Sequence, residues 1–538
     1  MSRRASSKTP AATKRTTKAP AVGTRSFERR RQASKKQTVR KQARRRRSVP
    51  TPTLHLRETL RRIPRAALLC ALIACLNAAC WSIITPPFQV PDEPAHFAYV
   101  QQLAQNERLP TAGESYSAEE GLVLQGLHQE AVQWHPEVHT ISLASEQHKL
   151  QADMDERLPR DDGQGAGVAA SQPPLYYVLE AIPYGLGSSG TLLDQLELMR
   201  LLSALMAAVT AFFVFLFVRE TLPSIPWAWT VGGLCVALAP LLGFMSGAVN
   251  PDAMLASVSA ATFYCLARGF RRGLTRNLAI ALGAVSAVGF LTKLNFIGLA
   301  PGMVLGLVLL SLRARRTYGR AAFGYLALAL AIAVSPVFLY LLVNLASGRP
   351  GLGIVSDTVE SWHTGSVFRE LSHIWQFYLP RLPGMANDFP GISTTRQIWF
   401  DRGVGLYGWL DTSFPVWVDN VALVAAGLIA LLYIRSLVVV RAVLRERLVE
   451  FVVYLVMTIG LLVLIGASSY LNVAKEGSGG WAHPRYLLPL LPLLAAVLAM
   501  AARGAGRRWG LAVGALIVVL FLGHDIFSQL QVIARFYG

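Results

Sequence analysis

Asp92, Glu93 and His96 stand between and just after Pro91 and Pro94, where a first long apolar segment ends. Two adjacent carboxylates and an imidazole within one helical turn can share a face. Such a set can accept a proton from a hydroxyl, so this segment is a candidate reaction site rather than a connector. A plainer role is also open, because carboxylates stabilise a helix amino terminus simply by capping it.

Three further polar interruptions break apolar runs: Asn250 with Asp252, Lys293 with Asn295, and His483 with Arg485 and Tyr486. A lone Lys or Arg at such a place is commonly an anchor whose stem lies in lipid while its charge reaches the headgroups. At turns shared with other polar groups, the same cations are candidates for holding a phosphate.

The elements that must position these residues are membrane helices. The chain of 538 residues is 53% hydrophobic with only 16% charged residues, and its mean hydropathy is +0.39. The formal charge of +20 lies entirely in residues 1–65, which hold 22 Lys/Arg against Glu28 and Glu58. With almost no apolar residues, that segment is expected to be disordered and cytoplasmic, resting on anionic lipid. Neither stacking aromatics nor a folded reader accompanies its charge, so nucleic acid is not an expected partner.

Spans are expected near 66–86, 197–218, 227–247, 252–268, 277–293, 295–312, 321–345, 419–438, 449–470, 485–502 and 509–528, eleven in all. The short loops at 268–276, 313–320, 435–447 and 503–508 are rich in Arg and are therefore assigned to the cytoplasm. Counting from them, residue 87 and residues 188–196 share the outer side only if the apolar run 173–187 does not cross. It is read as a juxtamembrane helix. The outer loops are then 87–196, 346–418 and 471–484, residues 66–530 form the membrane domain, and 531–538 a short tail. The fold class is all-α and polytopic, and every polar interruption named above falls on the outer face.

The five cysteines all lie in apolar segments, without a CxxC pair, and suggest neither disulfides nor a zinc site. His128, His135, His139 and His148 follow no metal spacing and are expected at the surface. The aromatic stretch 375–389 suits either a sugar-binding face or an interface belt.

Taken in order, the Pro-Asp-Glu-Pro-x-His motif, the element containing Gln172, Pro173, Pro174, Leu175, Tyr176 and Tyr177, the entry at Arg200, Asn250-Pro251-Asp252, Thr292-Lys293 and the run opening at Arg485-Tyr486 resemble the bacterial "domain of unknown function 2142" membrane proteins. These are in turn similar to the GT-C superfamily of polyprenyl-phosphate-sugar glycosyltransferases. The resemblance spans about residues 66–500. It implies inverting transfer of a sugar from a polyprenyl-phosphate donor to a cell-envelope glycan, lipid or protein, on the outer face of the cytoplasmic membrane.

On that resemblance Asp92 or Glu93 is the general base. His96, Gln172, Tyr176, Asn250, Asp252, Lys293, His483, Arg485 and Tyr486 line the substrate site. Some relatives use a divalent cation, and Mg or Mn on Asp92 and Asp252 is a conceivable pair of hard ligands. The competing readings are a transporter or lipid flippase, which would favour charges near the bilayer midplane, and a non-catalytic assembly protein for an envelope polymer.

Overall fold

The computed structural model describes residues 63–110, 115–139, 143–165, 167–349, 367–389, 395–476 and 483–538. The basic segment expected to be disordered up to residue 62, residues 350–366 and 390–394 of the second expected outer loop and residues 477–482 of the third lie outside the described residues.

Helix α1 (Arg65–Ile84) begins directly after Pro64, and its twenty residues rise about 30 Å, the thickness of a bilayer core. After α2 (Glu93–Asn106), the first long loop carries α3 (Ala118–Gly126), α4 (Gln129–Val132) and α5 (Ala144–Asp155). The run 173–187 becomes α6 (Leu175–Leu186), whose twelve residues cover only about 18 Å and cannot cross. It packs on α2 and on α7 (Leu192–Thr221), which opens with a capping box between Thr191 and Asp194.

The expected span at 227–247 is two helices, α8 (Pro226–Ala237) and α9 (Pro240–Ser246), bent by 53°. Pro240 lacks the amide hydrogen needed to continue α8, so the helix restarts in a new direction. Next, α10 (Pro251–Arg272) is capped by the Asn250 side chain, which accepts from Asp252 N, with Pro251 in the first turn. With 83% of its apolar window buried it is the central helix, and Asp252 sits at its tip.

The chain continues through α11 (Arg276–Thr292), a 3₁₀ turn over Leu294–Leu299, α12 (Ala300–Tyr318) and α13 (Ala321–Ala346). Gly283 brings α11 against α13: a Cβ there would lie 2.6 Å from Ala329 O. Beyond α14 (Val367–Tyr378), a two-residue hairpin pairs β1 (Leu406–Tyr407) with β2 (Thr412–Ser413), Leu406 opposite Ser413. Four long segments close the chain: α15 (Val416–Val439), α16 (Leu448–Glu476), α17 (Leu491–Gly504), preceded by a 3₁₀ turn over Pro484–Leu490, and α18 (Gly506–Tyr537).

Among the described residues nine helices are long and apolar enough to cross a membrane, and ten if the bent pair is one span. The eleventh expected span is α11, apolar but of 17 residues. The architecture is thus all-α and polytopic as expected, apart from the small hairpin. One boundary moves. Residues 531–538 are not a free tail, because α18 runs to Tyr537 and Arg535 is anchored to Val132 O and His135 O at 3.1 and 2.8 Å. In the aromatic stretch 375–389, whose bounds are unchanged, Phe377 is buried against Trp399 and Phe389 is buried, while Trp375 is exposed; Asp388 accepts from Gln376.

The chain alternates between two ends of the bundle, as the basic loops require. At one end Glu220, closing α7, binds Arg271 and Arg272, closing α10, while Arg447 donates to Thr221 O. The opposite end gathers Asp92, Asn250, Lys293 and Arg485.

Candidate active site

Asp92 caps α2 in a left-handed conformation, φ 67°, and its side chain bonds none of that helix's amides. It turns to Arg485 instead, whose Nη2 donates to Asp92 Oδ2 at 2.6 Å. Arg485 reaches there because His483 caps the 3₁₀ turn, its Nδ1 accepting from Arg485 N at 3.2 Å. On the other side Lys293, at the end of α11, donates to Asp252 Oδ1 at 2.7 Å. Arg485 Nε lies 3.9 Å from Asp252 Oδ2, so the two ion pairs form one row. Tyr486 completes it, with Lys293 Nζ 5.9 Å and Arg485 Cζ 5.2 Å from its ring centre.

Four parts of the chain separated by up to 393 residues therefore converge through side chains of opposite charge. Their exposure differs: 27% for the Asp92 side chain, 9% for Lys293, 7% for Arg485 and 1% for Asp252. Asp92 is the accessible carboxylate. Arg485 Nε and Nη1 and Asp252 Oδ2 are buried with no hydrogen-bond partner among the described residues, an unusual state for groups so costly to leave unpaired.

The row has a second layer. Asn250 Nδ2 donates to Pro91 O at 3.3 Å, tying the tip of α10 to the segment bearing Asp92. His96 Nδ1 lies 2.9 Å from the Tyr177 hydroxyl. Tyr177 stacks on Tyr99 with centroids 3.7 Å apart, and Tyr99 donates to Gln172 O at 3.2 Å.

Burial pushes up the Asp92 carboxyl, but the Arg485 guanidinium, with His96 and Lys293 adding to it, outweighs that and holds it below its ordinary value. Burial drives His96 and His483 down to about 3, so both imidazoles are neutral at physiological pH. Burial, followed by neighbouring Tyr99, Asp252 and Asp92, raises the Tyr177 phenol well above its usual range, and it keeps its proton.

Of the residues expected at the site, Asp92, His96, Asn250, Asp252, Lys293, His483, Arg485 and Tyr486 come together. Three stand apart in role. Glu93 is fully buried and both its oxygens are engaged by Arg200, at 2.8 and 2.6 Å. The Tyr176 hydroxyl faces Ser203 Oγ at 2.8 Å, in the packing between α6 and α7. Gln172 contributes its carbonyl to Tyr99, while its Oε1 is buried without a partner.

As metal ligands Asp92 and Asp252 fit poorly. Each already has a cation at hydrogen-bond distance, and among the described residues no three His, Cys, Asp or Glu could share one ion. Arg200 was the functional residue hardest to read in advance; its signal was an arginine one turn into an apolar span. Tyr177, seen in sequence only as an interface aromatic, is the other.

The fold and this site define an integral membrane protein with many helices and a buried charged row at one end of the bundle. The profile described as "Predicted membrane protein (DUF2142)" matches residues 75–494, and the chain belongs to that family. No curated protein matches its sequence. Among solved structures it is similar to ArnT from Cupriavidus metallidurans bound to undecaprenyl phosphate, at 14% identity and TM-score 0.41, covering 87% of this chain and 73% of that one. It is also similar to the Archaeoglobus fulgidus oligosaccharyltransferase tethered with an acceptor peptide, at 10% identity and TM-score 0.40. There the match covers 87% of this chain, which spans only 55% of the archaeal chain.

Proposed function

We propose that the protein is a glycosyltransferase that moves a sugar from a polyprenyl-phosphate donor to a cell-envelope acceptor at the outer face of the cytoplasmic membrane. The observation that carries the reading is Arg485: a buried guanidinium whose Nε and Nη1 make no hydrogen bond among the described residues, set between a half-buried carboxylate and a second cation. A buried cation with donors to spare is suited to an anion, and the mouth of a membrane helix is where a lipid-linked phosphate lies.

The chemistry follows from the groups present. The acceptor hydroxyl gives its proton to Asp92 as its oxygen attacks the sugar carbon. The bond from that carbon to the phosphate oxygen breaks on the far side, so the configuration inverts. Lys293 and Arg485 take up the charge that returns to the polyprenyl phosphate. While Arg485 serves Asp92 alone, that carboxylate is a weak base; a phosphate drawing on the same guanidinium raises its basicity. Neutral His96 and protonated Tyr177 supply hydrogen bonds without adding charge. Asp252 holds Lys293, and no step runs through a metal.

The test compares cell-envelope glycans and polyprenyl-phosphate sugars in a deletion strain restored with wild type or with Asp92→Asn. One envelope sugar should disappear, its lipid donor should accumulate, and only wild type should restore it. Full restoration by an inserted, folded Asp92→Asn protein would remove Asp92 as base and favour transport or scaffolding.

A further inference from the structure

The chemistry above leaves one buried ion pair without a task. Arg200, near the start of α7, holds both carboxylate oxygens of Glu93 and also donates to Ser82 O, Thr85 O and Pro86 O at 3.0, 2.9 and 3.0 Å. Glu93 Oε1 accepts in addition from Val249 N at 3.0 Å. Arg200 is 2% exposed and Glu93 0%. One guanidinium thereby joins the exit of α1, the first residue of α2 and the turn before α10.

Between the carbonyls it grips and the carboxylate it grips lies Asp92. The backbone there needs holding, because both Phe88 and Asp92 are left-handed, at φ 61° and 67°, without being glycine. A buried pair of this kind is weak evidence for stability but can select one conformation among several. Here the conformation selected is the one that brings the Asp92 carboxylate to Arg485.

We propose that Glu93 and Arg200 are a positioning pair: they fix the left-handed backbone at Asp92 and thereby set the contact between its carboxylate and Arg485. The proposal rests on the reading of Asp92 as general base, and it deepens that reading by giving the second acid of the motif a separate task. The charged and titratable groups near Asp92 are Arg485, His96, Lys293, Tyr177 and His483, with Asp252 behind Arg485; none belongs to the pair, so loosening the pair acts on Asp92 through geometry.

Two measurements on the full-length protein in detergent test this, with Arg200→Lys and the near-isosteric Glu93→Gln, each checked for monodispersity. In sugar transfer, kcat should fall at least tenfold while the donor KM stays within twofold. The acid limb of the pH profile should move up by about one unit, the size expected when an ion pair loosens. A loss of amplitude with an unmoved limb would mean a merely structural role and would overturn the proposal.

The second measurement needs no activity. The thiol introduced by Asp92→Cys is alkylated with iodoacetamide across pH, with Arg200 present or replaced by Lys, and the modified peptide is quantified by mass spectrometry. The midpoint should lie about one unit lower with Arg200 in place, since the nearby guanidinium favours the thiolate. Equal midpoints overturn the positioning role even if transfer is observed. Different midpoints, together with a wild-type protein that transfers no sugar, would uphold it and instead remove the glycosyltransferase reading.

Discussion

The two ends of the bundle both carry Arg paired with acid, yet the pairs are built to opposite plans. At the basic end Glu220 is buried while Arg271 and Arg272 are 38% and 48% exposed, so water completes what the acid does not. At the other end the cations are buried, as is Asp252, and Asp92 is the half-buried partner. An exposed arginine without a second acceptor needs no explanation; a buried one with two nitrogens that make no hydrogen bond among the described residues does. On the proposed function, the difference is one between charge that orients a helix and charge kept for a ligand.

The comparison breaks most directly at Asp92. Asp92→Asn keeps the shape and removes the base, and sugar transfer should fall about 10²- to 10⁴-fold. Donor binding should persist, because the cations remain. A protein with unchanged turnover would place Asp92 with the structural acids.

Replacing Arg485 should come next. Arg485→Ala removes the charge proposed to stabilise the leaving phosphate, and turnover should fall about 10²- to 10³-fold. Arg485→Lys restores charge without the planar fork and should recover only part of it. Binding of undecaprenyl phosphate, measured by tryptophan quenching, should weaken in both and in Lys293→Ala. If all three bind as wild type does, the buried cations do not serve a phosphate.

Acid sensitivity sharpens the contrast through stability. His96 and His483 are held near 3 in the fold, against about 6.5 when unfolded. The unfolded chain therefore takes up protons first, and stability falls as pH drops below about 6.5, by about 1.4 kcal/mol per unit for each histidine. Asp92, depressed in the fold, acts in a lower window: its contribution is present above its unfolded value and is lost as pH falls through the folded one. Thermal melting in detergent between pH 7 and 5 should show the decline, and His96→Gln should make it shallower.

Much of this was legible in the sequence because lipid imposes a length and a polarity on each span. Helix α1 and the end shared by Asn250 and Lys293 followed from apolar runs and the side on which arginines cluster. The juxtamembrane α6 followed from parity alone. What could not be read was direction. Asp92 and Glu93 are neighbours in sequence, but a left-handed residue sends one toward Arg485 and the other into Arg200. Tyr176 and Tyr177 divide in the same way, one toward Ser203 and one toward His96. Adjacent positions on a helix point about 100° apart, so the choice between them is made by partners distant in sequence, from 27 residues for Tyr176 and Ser203 to 107 for Glu93 and Arg200. The bend before Pro240 was visible as a proline, but not as a division of one span into two helices.

The smallest effect belongs to the basic end. Arg271→Ala leaves Glu220 with Arg272 at 2.5 Å and exposes no buried charge that was previously paired. Half-exposed pairs of this kind contribute about 0–1 kcal/mol and weaken in salt. Melting should therefore shift little and sugar transfer not at all, whereas Lys293→Ala, also the loss of one cation from an acid, leaves the buried carboxylate of Asp252 only the more distant Arg485, at 3.9 Å. Measured side by side, the two alanine variants ask whether burial, rather than pairing, marks the functional end. A transfer defect in Arg271→Ala equal to that in Lys293→Ala would erase the distinction between the two ends.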